Sequence, residues 1–514
     1  MPVVTIDGRQ LEFSPGESII QVATRHGVEI PYYCWHPRLS IAANCRMCLV
    51  EVEKAPKLLP ACQTECREGM VVHTETKSVK DTQRAVHEFL LINHPIDCPI
   101  CDQAGECKLQ NYYMKHQLGP SRMQDAKVHK PRHEQLGPYV IYNAERCIMC
   151  TRCVRFMDEI AGERQLGIFN RGDHAEIGTF EGQPLDSAYS LNTVDVCPVG
   201  ALTSSVFRFK QRVWNLSRSP SLCGGCARGC NVHVDFRSRQ VYRLLPREND
   251  EVNQSWLCDE GRLTYRRAND ERLTHALMKD GGVTRTTERK VALERTVELL
   301  QPLRGKGDGI ALALTLHTTV EEAYVAARFA KDGLGVRRVT LLGYDDGVAD
   351  KLLRLADRNP NRAGIERVLK DLGLAVGAPA ALVGELGRGS VKALVVVGAE
   401  ADGLATLAQA AARLEVFVHI AHATSPLSEV AHVTLPSVAW VQRDGTWVNA
   451  QGMSQCLVPA YDGEDDAQAS HAWLVELCGA LGVDVGHGAP QSLRATIERT
   501  LPSFAQSRLT ELGA

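Results

Sequence analysis

The chain has eighteen cysteines, and their placement constrains its fold more than any other feature of the sequence. Sixteen of them lie before residue 260, and only Cys456 and Cys478 lie in the remaining half. The first residues have the layout of neither a secretory signal peptide nor a transit peptide, so we expect no disulfide framework. Clustered C-x2-C pairs in such a chain are typical of metal sites. The sequence therefore predicts a protein built around metal centres.

The first group of candidate ligands is Cys34, Cys45, Cys48 and Cys62. Two predicted strands and a short helix precede it, which is the element order of a β-grasp ferredoxin. Plant-type [2Fe–2S] ferredoxins use C-x4-C-x2-C and a distant fourth cysteine, whereas the first gap here is longer. Cys66 competes with Cys62 for the last position, and we favour Cys62 because it ends a predicted strand. Zinc also accepts four thiolates and stays the alternative.

The second group is His94, Cys98, Cys101 and Cys107. The three cysteines lack a fourth partner, and the histidine precedes the first of them with three residues between. Pro95 keeps His94 from continuing a helix. The spacing alone does not separate a zinc site from an iron–sulfur cluster.

The third group is Cys147, Cys150, Cys153 and Cys197. A C-x2-C-x2-C run with a remote Cys-Pro is the arrangement of bacterial ferredoxins. Each ferredoxin half has lost part of its ligand set here, so the four surviving cysteines predict one [4Fe–4S] cluster rather than two.

The fourth group is Cys223, Cys226, Cys230 and Cys258. The glycines among these cysteines allow the backbone to close tightly around a bulky inorganic core. Zinc is again the alternative. The four groups need sixteen ligands, and fifteen cysteines plus His94 supply them. This leaves Cys66, Cys456 and Cys478 as ordinary thiols, and we interpret the metal as iron: one [2Fe–2S] and three [4Fe–4S] clusters.

Iron–sulfur clusters transfer one electron at a time, and the sequence shows no catalytic constellation beside them. It contains no P-loop, no G-x-G-x-x-G after a strand and no obvious Ser/His/Asp or Cys/His set. A net charge of −3 gives no basis for a nucleic-acid partner. No apolar run approaches the length of a membrane-spanning helix. We therefore expect an electron carrier with no substrate-converting site of its own.

The order and spacing of these groups resemble the large iron–sulfur subunit of bacterial respiratory complex I, the NADH:quinone oxidoreductase. The stretches that carry the resemblance are "YYCWHPRLSIAANCRMCLVEVE", "LPACQT", "NHPIDCPICDQAGECKLQ", "RCIMCTRCVRF", "DVCPVGALT" and "CGGCARGCNV". The resemblance implies, in chain order, a [2Fe–2S] cluster, a [4Fe–4S] cluster with one histidine ligand, an all-cysteine [4Fe–4S] cluster, and a further [4Fe–4S] cluster off the main path.

The same resemblance implies partners and a location. Electrons would arrive from a flavin subunit that oxidises NADH and leave through a neighbouring iron–sulfur subunit towards quinone, within a hetero-oligomeric complex. The chain would lie on the cytoplasmic face of the bacterial inner membrane, as a peripheral subunit with no flavin of its own. The nearest alternatives are the corresponding subunit of an NAD-linked formate dehydrogenase or hydrogenase, and, from another class, a zinc-stabilised scaffold protein.

The second half alternates short apolar strands with amphipathic helices, which indicates βαβ units and a parallel sheet. Its segment "HVTLPSVAWVQRDGTWVNAQGMSQ" resembles a loop of the molybdopterin oxidoreductases, to which this family is related. In those enzymes lysine usually follows the last cluster cysteine, where this chain has Glu260, and the loop 398–402 lacks the Asn and Pro of a pterin loop. We therefore expect no molybdopterin, and interpret this half as a degenerate scaffold.

The predicted fold class is α/β and multidomain. We expect a β-grasp [2Fe–2S] ferredoxin domain, a small helical domain with the His-ligated cluster, a bacterial-ferredoxin-like domain, a [4Fe–4S] domain of molybdopterin-oxidoreductase type, and the degenerate α/β domain with parallel sheets. Their predicted limits, in that order, are residues 1–79, 80–119, 120–217, 218–274 and 275–514.

Overall fold

The computed structural model describes residues 1–116 and 119–511. The chain divides into two compact units, with the boundary between Leu216 and Ser217. Both units mix strands and helices, so the predicted mixed α/β character is confirmed. Among the described residues, no helix is long and apolar enough to cross a membrane.

The first unit begins with a five-stranded sheet in the order β2-β1-β5-β3-β4. Its elements are β1 (Val3–Ile6), β2 (Arg9–Glu12), α1 (Ile19–Arg25), β3 (Leu49–Val52), β4 (Leu59–Pro60) and β5 (Val71–His73). Strands β1 and β5 pair in parallel, and the other neighbours are antiparallel. Helix α1 starts at a capping box, in which the Gln21 side chain accepts a hydrogen bond from the backbone of Ser18 at 2.8 Å. Buried apolar side chains of α1 then pack into the core of this sheet.

The rest of the first unit consists of short elements separated by long loops. These elements are α2 (Lys77–Leu91), α3 (Lys108–His116), β6 (Glu134–Gln135), β7 (Val140–Tyr142), α4 (Arg152–Arg155), β8 (Gly167–Phe169), β9 (Glu176–Gly178), α5 (Asn192–Val196) and β10 (Leu202–Ser204). Strand β7 lies between β10 and β6, and β8 pairs with β9. A stretch from 119 to 133 has neither helix nor strand. The sequence predicts a loop or linker over residues 116–138; residues 117 and 118 of it lie outside the described residues, and Glu134–Gln135 form β6.

The second unit opens with an antiparallel three-stranded sheet and two short helices. These elements are β11 (Ser217–Leu222), β12 (Asn231–Arg237), β13 (Gln240–Pro246), α6 (Asp259–Arg262) and α7 (Tyr265–Asn269). The loop between β11 and β12 and the start of α6 carry all four cysteines of the fourth group. This small sheet therefore presents the two segments that hold the fourth group.

An eight-stranded sheet forms the centre of the second unit, in the order β15-β14-β21-β20-β19-β16-β17-β18. Its strands are β14 (Ala276–Asp280), β15 (Val283–Thr287), β16 (Ile310–Thr315), β17 (Arg338–Leu342), β18 (Ala375–Gly377), β19 (Ala393–Val397), β20 (Val416–Ala421) and β21 (Val433–Pro436). The six strands from β21 to β18 are parallel, as the sequence predicts. The hairpin β14–β15 was not predicted and extends one edge antiparallel to β21.

Helices and one further hairpin complete the second unit. They are α8 (Arg289–Leu300), α9 (Val320–Arg328), α10 (Arg362–Asp371), α11 (Pro379–Gly387), α12 (Leu404–Ala411), α13 (Pro426–Val430), β22 (Gly445–Val448), β23 (Ser454–Leu457), α14 (Ser470–Ala480) and α15 (Pro490–Thr500). Helix α9 is buried along almost its whole length, because α10, α14 and α15 all pack against it.

Candidate metal centres

The structure brings the four cysteines of the first group together in the ferredoxin core. Hydrogen bonds connect the Cys34 thiol with those of Cys45 and Cys62, and the Cys48 thiol with that of Cys62. These contacts lower the pKa of Cys34 and Cys48 and raise the pKa of Cys45 and Cys62. The ferredoxin core thus offers four crowded thiols to a cofactor that could replace the hydrogen bonds between them.

Cys66, the competing candidate, occupies a different position. Its backbone N–H donates to the carbonyl of Glu17 at 2.8 Å, and burial raises the pKa of its thiol to about 11. Cys62 rather than Cys66 thus lies beside Cys34 and Cys48, in the position the sequence favours.

The second group lines a single cavity in the first unit, where His94, Cys98, Cys101 and Cys107 face one another. The Nδ1 atom of His94 is buried, with no hydrogen-bond partner in the described part of the chain. Burial lowers the pKa of His94 to about 4, so its imidazole is neutral, which is the form that binds metals. Burial raises the pKa of Cys107 to about 11. An unpaired neutral imidazole beside three thiols fits a metal-bound cofactor.

The third group lies in a cavity whose other walls are apolar side chains such as Ile148, Ile177 and Leu202. The loop that carries its first three cysteines wraps the cavity because Met149 and Thr151 adopt left-handed backbone conformations, at φ 51° and 62°. Burial raises the pKa of all four thiols, to about 11 for Cys147, Cys150 and Cys197 and further for Cys153. Thiolates in such a cavity require a cation, which an iron core provides.

The fourth group lines a cavity in the second unit together with two glycines that approach the sulfur atoms. The backbone N–H of Gly225 donates to Cys223 Sγ at 3.4 Å, and that of Gly261 donates to Cys258 Sγ at 3.3 Å. A Cβ atom at Gly261 would lie 2.8 Å from Cys223 Sγ, so no larger residue fits without displacement. N–H···S hydrogen bonds are one of the features that set the potential of a bound cluster.

Within residues 1–116 and 119–511, no three His, Cys, Asp or Glu side chains are arranged to hold one metal ion. The four protein ligands of a [4Fe–4S] cluster bind different iron atoms, so they surround a core instead of converging on one point. Each of the second, third and fourth groups lines a cavity with four candidate ligands.

The second and third groups lie next to each other. Arg146, which precedes Cys147, donates from Nε and Nη2 to Asp97 Oδ2 at 3.0 and 2.8 Å, and Asp97 precedes Cys98. Gly200 follows the Cys-Pro of the third group, and a Cβ atom there would lie 2.2 Å from Cys101 Sγ. The two cavities are therefore in contact through Gly200.

The loop 398–402, which lacks the Asn and Pro of a pterin loop, contains a buried acid with partners. Glu400 Oε1 lies 3.4 Å from Nδ1 of His422 and 3.8 Å from Nη2 of Arg443. Burial acts to raise the pKa of Glu400, but His422 and Arg443 outweigh it and lower that pKa to about 2. The acid thus takes part in a buried charged cluster. Glu260, the other departure from the molybdenum enzymes, lies 3.4 Å from Arg358.

Sequence reasoning missed the arginines of the third group. Arg152 and Arg155 stand in the quoted motif "RCIMCTRCVRF", but only its cysteines were given a role. In the structure their side chains reach backbone carbonyls of the first group. Two arginines three residues apart, on either side of the predicted ligand Cys153, were the available signal.

Four protein families match parts of this chain. Their descriptions are "2Fe-2S iron-sulfur cluster binding domain" for residues 3–77, "NADH-ubiquinone oxidoreductase-G iron-sulfur binding region" for 83–122, "NADH-quinone oxidoreductase subunit 3, ferredoxin-like domain" for 137–203, and "NADH-ubiquinone oxidoreductase NDSU1/NuoG-like, 4Fe-4S domain" for 226–266. The chain therefore contains [2Fe–2S]-type and [4Fe–4S]-type binding domains.

Curated relatives carry names of the same kind. The G subunit of the NADH-quinone oxidoreductase of Rickettsia bellii is 38% identical over 380 residues, which is 73% of this chain and 54% of that protein. The mitochondrial NADH-ubiquinone oxidoreductase 78 kDa subunit of Candida albicans is 40% identical over 341 residues, 66% of this chain and 47% of that protein. This chain thus spans about half the length of the curated relatives it matches.

A solved structure, titled "Crystal structure of NAD+-reducing [NiFe]-hydrogenase in the H2-reduced state", covers 41% of this chain and 91% of its own, at 27% identity. Its TM-score of 0.38 is too low to support an inference. The family matches and the named relatives nevertheless confirm the predicted resemblance: this chain is a relative of the NADH-quinone oxidoreductase G subunits and carries the iron–sulfur domains of those proteins.

Proposed function

We propose that the chain is an electron-transfer subunit of an NADH:quinone oxidoreductase, which relays single electrons from a flavin subunit towards quinone. The observation that carries the proposal is the contiguity of the three groups of candidate ligands in the first unit. Elements of the third group contact both the first and the second. Adjacent buried centres are what one-electron transfer through protein requires.

The proposed ligands are the sixteen residues predicted from the sequence. Cys34, Cys45, Cys48 and Cys62 hold a [2Fe–2S] cluster; His94, Cys98, Cys101 and Cys107, then Cys147, Cys150, Cys153 and Cys197, and finally Cys223, Cys226, Cys230 and Cys258 each hold a [4Fe–4S] cluster. A bound cluster supplies reversible one-electron chemistry. The chain supplies thiolates and one imidazole, excludes water with apolar walls, and donates N–H groups to sulfur.

The contacts also support a spatial order of centres that differs from the order along the sequence. Arg155 joins the loops of the first and third groups, and Gly200 joins the third and second. We propose this order for an electron that enters at the first group, although Lys108, next to Cys107 of the second group, also lies 3.7 Å from the ring of Tyr32 near the first group.

The second group supports an exit for electrons at the surface. Cys98 is exposed, and Ile96 and Ile100 beside it are 88% and 58% exposed. Phe209 and Trp214 are also exposed, and both lie against the loop of this group. Exposed apolar patches of this kind mark partner surfaces. We assign the patch to a neighbouring iron–sulfur subunit.

The finer architecture belongs to the same proposal. We retain the five predicted domains, with boundaries after residues 79, 119, 217 and 274. We assign the fifth domain, residues 275–514, to a degenerate molybdopterin-oxidoreductase-like scaffold, and propose that the chain binds neither molybdopterin nor flavin. Glu260 and the buried Glu400 cluster support the absence of a pterin, since acids at these positions disfavour its phosphate. The complex would hold the chain on the cytoplasmic face of the inner membrane.

The test is the content of iron, acid-labile sulfide, zinc and molybdenum per chain after anaerobic purification. We expect about 14 iron atoms with matching sulfide and no molybdenum. Abundant zinc with little iron would replace the proposal with a zinc-stabilised scaffold. Molybdenum would instead favour a dehydrogenase such as an NAD-linked formate dehydrogenase.

A further inference from the structure

The first and third groups are connected by arginine side chains. Arg155 Nη2 donates to the carbonyl of Cys34 at 2.6 Å and to that of Cys150 at 3.3 Å, so one nitrogen contacts the backbone of a proposed ligand from each group. Its Nη1 donates to the carbonyl of Ser40, in the same loop as Cys34. The side chain therefore spans the boundary between the two groups.

Arg152 makes a second connection. It is 5% exposed, and it donates from Nη1 to the carbonyl of Val196 at 3.1 Å and from Nη2 to the carbonyl of Trp35. Val196 directly precedes Cys197, and Trp35 directly follows Cys34. Both arginines therefore donate to carbonyls at, or next to, a ligand of each group.

The local backbone explains why both side chains point the same way. Thr151, in a left-handed conformation, directly precedes α4, and Arg152 and Arg155 are the first and last residues of that helix. Residues three apart share one face of a helix. On this face they contact the Cys34 loop. Asn44 in that loop donates from Nδ2 to the carbonyl of Met149 at 3.2 Å.

The charge of these arginines bears on both centres. The hydrogen bonds described above go to neutral carbonyls, so no carboxylate in those bonds cancels the two positive charges. A cluster with four thiolate ligands is negative overall, and each reduction adds one negative charge. A guanidinium group between two such clusters favours the reduced state of both.

We propose that Arg152 and Arg155 are positioning residues for electron exchange between the first and third clusters: they fix the two ligand loops to each other and raise both reduction potentials. The inference rests on the proposed function, because it assumes clusters in both cavities. It assigns to the arginines a role separate from that of the ligands.

The experiment uses the full chain with its clusters, purified anaerobically, and a redox titration followed by EPR. Arg155→Gln removes the charge, and Arg155→Lys keeps the charge but loses the forked geometry. Arg164→Gln is the matched control, since Arg164 is 81% exposed and pairs with the side chain of Asp158 instead of with a carbonyl of either group. Iron and sulfide are measured for every variant.

In Arg155→Gln we expect the reduction equilibrium of the first and third clusters to fall about tenfold, which is 59 mV for one electron. The second and fourth clusters and the control stay unchanged. In Arg155→Lys we expect nearly unchanged potentials, but weaker magnetic interaction between the reduced first and third clusters, because their loops are no longer joined. If Arg155 only stabilised the fold, the glutamine and lysine variants would not differ in this way in their reduction potentials and in the magnetic interaction between the clusters.

Potentials and magnetic interaction in both Arg155 variants equal to those of the control would overturn the inference while leaving the proposed function intact. Absence of cluster signals in the unmodified chain would instead remove the proposed function itself. If Arg155→Gln loses its clusters, the test depends on Arg155→Lys. An unchanged magnetic interaction in that variant would contradict the proposal that Arg155 joins the two ligand loops.

Discussion

Two buried arginines, one in each unit, have different partners. In the first unit, the buried Arg152 donates to backbone carbonyls beside the proposed clusters. In the second unit, the equally buried Arg494 donates from Nε to Glu321 Oε1 at 2.9 Å and also pairs with Asp444. A buried charge without a partner is costly. Under the proposed function, bound clusters balance the charge of Arg152, whereas carboxylates of its own unit balance the charge of Arg494.

The largest effect should come from removing a ligand in the first unit. Cys153→Ala is expected to cost about four iron atoms per chain and to lower the melting temperature of the first unit, because metal binding and folding are coupled. Iron analysis and thermal unfolding measure both effects. Cys66→Ala, a buried thiol outside the proposed ligand set, should keep the full iron content. Equal iron loss in both variants would contradict the assignment.

The second unit should instead be sensitive to its internal ion pairs. Arg494→Met leaves Glu321 buried and unpaired, at a cost of about 3–5 kcal/mol in the free energy of unfolding. Denaturant unfolding of the second unit, followed by the fluorescence of Trp447 and Trp473, measures the loss. The double variant with Glu321→Gln should recover part of it. Iron lost from the first unit in Arg494→Met would show that the two units do not differ in this way.

The His94→Cys variant tests whether His94 is a ligand of the second cluster in the first unit. Replacing a neutral imidazole by a thiolate adds a negative charge, so we expect a retained cluster whose potential is lower by on the order of 100 mV. A redox titration followed by EPR measures the shift. His174→Cys introduces a thiol at a 70% exposed position and should leave all potentials unchanged. An unaltered spectrum and potential in His94→Cys would argue against His94 as a ligand.

The smallest expected effect concerns acid stability in the second unit. The pKa of Glu400 lies at about 2 in the folded chain against an ordinary 4.5, so its contribution to stability is present above 4.5 and is lost as the pH falls towards 2. In Glu400→Gln, the free energy of unfolding should therefore fall less steeply as the pH is lowered. Glu415→Gln, at a 69% exposed site, is the control. An unchanged acid slope in Glu400→Gln would show that this carboxyl does not contribute.

Sequence spacing predicted the closely spaced cysteines of each group and the parallel strands because both depend on short, local patterns. The positions of Cys98, Cys101 and Cys107 follow from one loop, and β19 follows from one apolar run. The contact between Gly200 and Cys101 joins residues about a hundred positions apart, and no local pattern records it. The same holds for the pairing of β14 with β21 and for the partners of Glu400.

The wall shared by the second and third cavities limits how freely these domains can be exchanged between proteins. Along the sequence, the matched segments 83–122 and 137–203 have the form of independent cassettes. Gly200 belongs to the second segment, yet its missing side chain gives room to the sulfur of Cys101 in the first. A chimaera that imports either segment alone would need glycine at position 200, in the segment 137–203, to leave room for the sulfur of Cys101. The two segments are therefore best transplanted as one piece.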